Sequence, residues 1–131
     1  MSKIENFVSL EETLYMFLDL AHTKLDVFQI SKGFVLSCYR ETISFPTNER
    51  FAMVQQIRRA ALSVHLNIAE GCSRKSLAER RRFYEIARGS LVEIDAALDI
   101  AVALNYTTKE SLSEPGKLMT RTFQMTSKLI N

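Results

Sequence analysis

The chain has 131 residues, 47% of them apolar and 24% charged, with four glycines, two prolines and a formal net charge of +2. That length allows one domain with a real core, and so few turn residues disfavour a strand-rich fold and favour long helices with short connections. No apolar run approaches the roughly 18 residues of a membrane span, and no charged-then-apolar signal segment opens the chain, so no membrane partner is expected.

In chain order, Ser9-Leu10-Glu11-Glu12 reads as a capping box that opens a first helix. Leu14, Phe17, Leu18, Ala21, Leu25 and Phe28 continue an apolar face from it, which makes residues 1–22 an N-terminal extension of that helix. From Leu25 to Tyr39 the helix is apolar on more than one side, through Val27, Phe28, Ile30, Phe34, Val35, Leu36 and Cys38. Such a helix should be covered by its own bundle and by something else. Pro46 ends it, because the residue before proline is steered out of helical geometry.

A second helix is predicted over about 48–70, capped by Thr47 or Asn48 with Glu49 in its first turn. Val54, Ile57, Ala61, Val64 and Ile68 form its buried seam. Gly71 is expected to end it in a left-handed conformation. Ser73 and Ser76 are candidate caps for the third helix, Ser76 completing a capping box with Glu79. Phe83, Ala87, Leu91, Ile94, Leu98 and Ala101 form the third helix's stripe, which ends near Leu104-Asn105. Thr107-Thr108-Lys109-Glu110 opens a last helical region that Pro115-Gly116 kinks or restarts. Leu118, Met119, Phe123, Met125, Leu129 and Ile130 are expected to close an all-α, up-down-up-down four-helix bundle comprising one domain.

Charge is unevenly placed. Residues 50–90 hold nine basic side chains (Arg50, Arg58, Arg59, Arg74, Lys75, Arg80, Arg81, Arg82, Arg88) against three acidic ones (Glu70, Glu79, Glu85), a surplus of six. An anionic partner would sit there. Arg81, Glu85 and Arg88 are spaced to pair with one another on a helix surface. Arg58, Arg74, Lys75, Arg80 and Arg82 lack such local partners. Two readings stand for them, phosphate binding and solvated charge.

Gln56, Arg59, Ser63, Asn67 and Glu70 step by three and four and share a stripe opposite the buried seam. That stripe is either a solvated face or a polar surface shared with the third helix or another subunit. Gly89 inside a helix costs about 1 kcal/mol relative to alanine. The cost is tolerable if Gly89-Ser90 lets another backbone approach, which favours self-association.

The stretch FPTNERFAMVQQIRRAALSVHLNIAEGCSRKS, followed by RFYEIARGSLVEI, resembles the bacterial four-helix-bundle proteins encoded in intervening sequences of large-subunit ribosomal RNA genes. LDVFQIS resembles the family's opening motif, and the likeness runs from about Leu25 to Tyr106. Phe45, Pro46, Glu49, Gln56, Arg58, Arg59, Ala60, Asn67 to Gly71, Arg74, Ser76, Phe83, Ala87, Gly89, Ser90 and Glu93 match it, whereas His65 stands where members usually carry proline. The fold is also similar to the accessory variability protein of diversity-generating retroelements, which partners a reverse transcriptase. The resemblance implies a homopentameric ring with a basic surface, no catalysis and a nucleic-acid role.

Catalytic signals are absent from the sequence. Neither His22 nor His65 has an ExxH or HxxxH companion, and no phosphate-cradling glycine loop or nucleophile elbow occurs. Glu70 beside Gly71-Cys72 reads as a helix-end carboxylate held by Arg59, Arg74 or a neighbouring subunit rather than as a base next to a thiol. Cys38 and Cys72 read as buried free thiols that fit a reducing cytoplasm.

The expectation is therefore a non-enzymatic cytoplasmic oligomer without metal or cofactor. It would bind RNA or DNA backbone through Arg58, Arg59, Arg74, Lys75, Arg80, Arg81, Arg82 and Arg88. Gln56, Arg59, Ser63, Asn67, Glu70, Gly89 and Ser90 would form a polar stripe or subunit interface. The alternative is a scaffold that docks a protein partner, such as a nucleic-acid enzyme, without touching nucleic acid itself.

Overall fold

Asp26 sits in the first turn of helix α1 (Asp26–Thr42), where its charge opposes the positive end of the helix dipole. The computed structural model describes residues 15–131, so the Ser9–Glu12 capping box lies outside the described residues. Residues 15–20 are not helical, and a 3-10 turn spans Ala21–Lys24. The sequence leaves open whether the first helix runs unbroken past His22-Thr23; these residues show that it does not, so residues 15–22 are not a helical extension of α1. Thr23 is the cause: its Oγ1 donates to the Leu20 carbonyl at 2.8 Å and its amide donates to the same oxygen at 3.2 Å. Such local bonds compete with helix formation. Leu25 is then extended and marks where the true helix begins.

Helix α2 spans Met53–Ser73, five residues later than the sequence suggests. Thr47–Glu49 forms a separate 3-10 turn instead of a cap, and Glu49 accepts a hydrogen bond from Tyr106 Oη at 2.9 Å. The seam Val54, Ile57, Ala61, Val64 and Ile68 is buried throughout. Gly71 does not end the helix, since no glycine among the described residues has a positive φ. It is buried, and a β-carbon there would lie 2.7 Å from Tyr84 Cε1. The glycine serves close helix packing rather than a left-handed turn.

Helix α3 (Leu77–Ala103) begins where Ser76 Oγ accepts the Glu79 amide at 3.1 Å, as its spacing predicts. It ends in a Schellman arrangement. Asn105 takes φ 62°, the Tyr106 amide reaches the Ala101 carbonyl at 2.9 Å, and the Asn105 amide reaches Val102 at 3.0 Å. Ala87, Leu91, Ile94, Leu98 and Ala101 are buried, but Tyr84, not Phe83, starts the stripe.

Thr108 Oγ1 accepts the Ser111 amide at 3.1 Å in the turn before helix α4 (Ser113–Ile130). Pro115 falls in the first turn of α4, where its missing amide costs no intrahelical bond, so the helix is not broken there. Phe123 stays 39% exposed rather than closing the bundle, and Thr122 and Thr126 are fully buried on α4.

Helix α1 packs on α2 and α4, and α3 on α2 and α4, with α2–α3 the most extensive pair. This is the closed up-down-up-down bundle expected. Phe34, Ile57, Ile68, Leu91 and Ile94 fill its centre, each contributing about 1.5–3 kcal/mol by burial. Among the described residues there is no strand, and no helix is long and apolar enough to cross a membrane.

Candidate nucleic-acid interface

The turn from α2 to α3 spans only residues 74–76, and the side chains around it converge on one corner of the bundle. Arg74, four residues after Glu70 on the end of α2, pairs with it at 2.8 Å. Arg80 donates from Nε to the Arg74 carbonyl at 2.6 Å and so satisfies backbone left open beyond the end of α2. The Arg74 guanidinium lies 4.9 Å from the centre of the Phe83 ring, and that of Arg82 lies 5.9 Å from it. Phe83 is half-buried, a ring contacted by two cations. Lys75 and Arg81 are exposed beside them, and the N-terminus of α3 adds its positive dipole end.

The remaining arginines on the expected surface are engaged elsewhere. Arg58 donates from Nε to Thr42 Oγ1 at 3.0 Å and from Nη2 to the Tyr39 carbonyl at 3.2 Å, and it stacks 4.7 Å from the Tyr39 ring centre. It binds α2 to α1. Arg88 reaches Ser127 Oγ at 3.3 Å and lies 5.9 Å from the Phe123 ring, linking α3 to α4. The expected Arg81–Glu85–Arg88 pairing does not form. The ion pairs among the described residues are Arg40–Glu114 and Arg74–Glu70. Arg59 is exposed on α2 one turn from Gln55, whose amide, turned to satisfy both groups, accepts from Arg59 and donates to the Phe51 carbonyl.

The polar stripe divides in the same way. Gln56 donates to Glu93, Ser90 Oγ donates to Ser63 Oγ at 3.0 Å, and Asn67 donates to the Ser63 carbonyl at 2.8 Å. Gln56 and Ser63 thus bond across to α3, which is the third-helix alternative left open by the sequence. Gly89 points outward, with no atom within 4 Å of where its β-carbon would be. Leu62, Leu66, Ile86 and Ile100 are also exposed on the outer faces of α2 and α3.

Burial raises both free thiols above their ordinary range. Burial, with a smaller push from Glu41, raises the Cys38 thiol to about 12. The half-buried Cys72 is also raised by burial, partly opposed by Arg80. Glu70 is held by Arg74, not placed as a base against Cys72. His65 Nδ1 lies 2.7 Å from Ser31 Oγ, and Ser31 donates to the Phe28 carbonyl at 3.0 Å. Both contacts are satisfied when Nδ1 carries the imidazole proton. No cluster of metal-ligating side chains occurs among the described residues.

Fold and corner together define a four-helix-bundle protein whose α2–α3 turn is flanked by Arg74, Lys75, Arg80, Arg81 and Arg82, with no metal-ligating cluster among the described residues. The family model described as 23S rRNA-intervening sequence protein matches residues 23–128, and the chain belongs to that family. A solved protein of unknown function from the S23 ribosomal protein family of Bacteroides thetaiotaomicron is similar in fold. It has a TM-score of 0.71 and 22% identity, over 80% of this chain and 98% of that one. A comparison with curated proteins finds no match.

Proposed function

We propose that this chain is a non-enzymatic, self-assembling bundle that binds nucleic-acid backbone at the α2–α3 corner. The observation that carries the reading is the convergence of Arg74, Lys75, Arg80, Arg81 and Arg82 on one exposed turn beside the α3 N-terminus. Arg59 extends the surface along α2, whereas Arg58 and Arg88 support it from behind by fixing α2 and α3. Recognition is of phosphate, because no helix-turn-helix or zinc element among the described residues supplies base readout. Self-assembly as a homopentameric ring is supported by the exposed Leu62, Leu66, Ile86 and Gly89 face. A ring would repeat the corner around its axis, and weak contacts to one polyanion would add through avidity.

Salt titration tests the reading. Binding to RNA and DNA of unrelated sequence should weaken linearly on a log–log salt scale, with about 0.7–0.9 of a unit of slope per phosphate contacted. No binding at low salt, or binding indifferent to salt, rejects it. A second reading, a scaffold whose corner docks an acidic protein surface, uses the same cations. An association with a partner protein that survives nuclease, in a protein with no affinity for nucleic acid, would select it.

A further inference from the structure

Phe83 lies outside the buried stripe of α3, because Tyr84 takes the space beside Gly71. Its ring is left half-buried at the cationic corner, directly after Arg80, Arg81 and Arg82 in the chain. Phosphate binding needs charge and has no use for a ring. What the ring does at this corner is hold a cation, Arg74.

Arg74 is restrained twice. Its guanidinium lies 4.9 Å from the Phe83 ring centre, and its Nη2 pairs with Glu70 Oε2 at 2.8 Å. Its carbonyl accepts Arg80 Nε at 2.6 Å, which ties down the backbone from which the side chain departs. Phe83 and Glu70 are the guanidinium's partners among the described residues, and the Arg74 side chain is still 43% exposed. One side of the planar group thus rests on the ring while the other meets solvent.

The two restraints have different consequences. Glu70 offsets the charge of Arg74 and would repel a phosphate brought to the same guanidinium. Charge for the backbone comes instead from Lys75 and Arg81, which are exposed and form no ion pair among the described residues. Phe83 keeps the plane of Arg74 in one orientation, so little side-chain freedom remains to be lost when a flat partner settles on it. The flat groups of a nucleic acid are its bases, and their faces are open only where the strand is unpaired.

We propose that Arg74, backed by Phe83, is a stacking platform for an unpaired base, so that the corner takes single-stranded nucleic acid in preference to a duplex. Lys75 and Arg81 supply the contacts to the flanking phosphates. The platform reads no sequence, since every base has a face. It rests on backbone binding at the corner, as proposed above, and adds a component that does not depend on salt.

The test compares binding of the full chain to a thymidine oligonucleotide and to its stable abasic analogue, which has the same length and phosphates but no bases. The base-bearing strand should bind about 10-fold more tightly, with the same salt slope. Arg74→Lys keeps the charge and loses the plane, and should bring the two affinities to within about 2-fold of each other. Its affinity for a duplex should stay within about 2-fold of that of the unsubstituted protein. Phe83→Leu keeps apolar bulk but removes the ring under the guanidinium, and should also lower the ratio. Retained helical circular dichroism shows that both variants fold. Equal affinity for the two strands in the unsubstituted protein, a ratio unchanged in both folded variants, or a loss as large on the duplex overturns the platform and leaves phosphate binding standing. Failure of both strands to bind at low salt instead rejects backbone binding, and the platform with it.

Discussion

Gly71 and Tyr84 meet so closely that a β-carbon on the glycine would stand 2.7 Å from Cε1 and 2.9 Å from Cδ1 of the ring, with the Arg80 carbonyl 3.2 Å away. The tyrosine is 5% exposed and has little room to move. Gly71→Ala sets a helix-propensity gain of about 1 kcal/mol against overpacking of about 1–3 kcal/mol. Overpacking should prevail, because ring and backbone both resist displacement. The expected result is a net loss of up to about 2 kcal/mol, read as a lower urea midpoint at unchanged slope. Gly89→Ala, whose β-carbon meets nothing, should instead raise the stability of the isolated protomer by up to about 1 kcal/mol.

His65 is stacked on Phe28 at 4.3 Å, and His22 meets the same ring edge-on at 5.0 Å. Burial, then the charges of Lys32 and His22, lowers His65 from 6.5 to about 4. A base with a depressed folded-state pKa binds its proton first in the unfolded chain. Its contribution is therefore fully present above about 6.5 and is lost as pH falls toward 4. Because the ring is partly open to solvent, the effect should be on the order of 1–2 kcal/mol rather than the whole shift. Urea melts at pH 7 and 4.5 should show this loss, and His65→Gln should flatten that part of the profile.

Arg58 and Arg81 both add to the positive surplus, yet only Arg58 is built into the bundle. Arg58→Ala removes two hydrogen bonds and the stack on Tyr39, and should cost about 1–3 kcal/mol. It should leave the salt slope of nucleic-acid binding unchanged. Arg81→Ala should change stability by less than about 0.5 kcal/mol and lower the slope by about 0.7–0.9. Paired urea melts and salt titrations of the two variants check the sorting. A slope that falls equally in both would contradict it.

The readable parts of the sequence were those in which one physical signal acted alone. The period of Val54, Ile57, Ala61, Val64 and Ile68 located the α2 seam, and Ser76 with Glu79 located the start of α3. At the next turn two phases fit, because Phe83 and Tyr84 stand four and three residues before Ala87. Hydrophobicity favours Phe83, but Gly71 opens the space that Tyr84 fills, and Arg74 and Arg82 draw to the phenyl ring. The apolar spacing through Phe17 and Leu25 imitated a helix, and the Thr23 hydroxyl that breaks it acts through a backbone bond no spacing reveals. Charge counting found the basic surplus but not its division. Whether an arginine is free depends on Thr42, Tyr39 or Ser127, all distant in sequence.

Thr122 and Thr126 occupy the same face of α4, and both are completely buried. Their hydroxyls differ. Thr122 Oγ1 donates to the Leu118 carbonyl at 2.7 Å, whereas Thr126 Oγ1 has no partner among the described residues. A buried hydroxyl without a partner carries a desolvation cost of about 1–3 kcal/mol, and a bonded one has largely recovered it. Valine has nearly the same shape and no hydroxyl. Thr126→Val should therefore stabilise the protein by about 1 kcal/mol, a rise of roughly 4 °C in Tm for a chain of this size. Thr122→Val should give no gain, because it gives up a made bond along with the polar atom. Calorimetric melts of the two variants measure the difference, and equal Tm values would show that Thr126 finds a partner in solution.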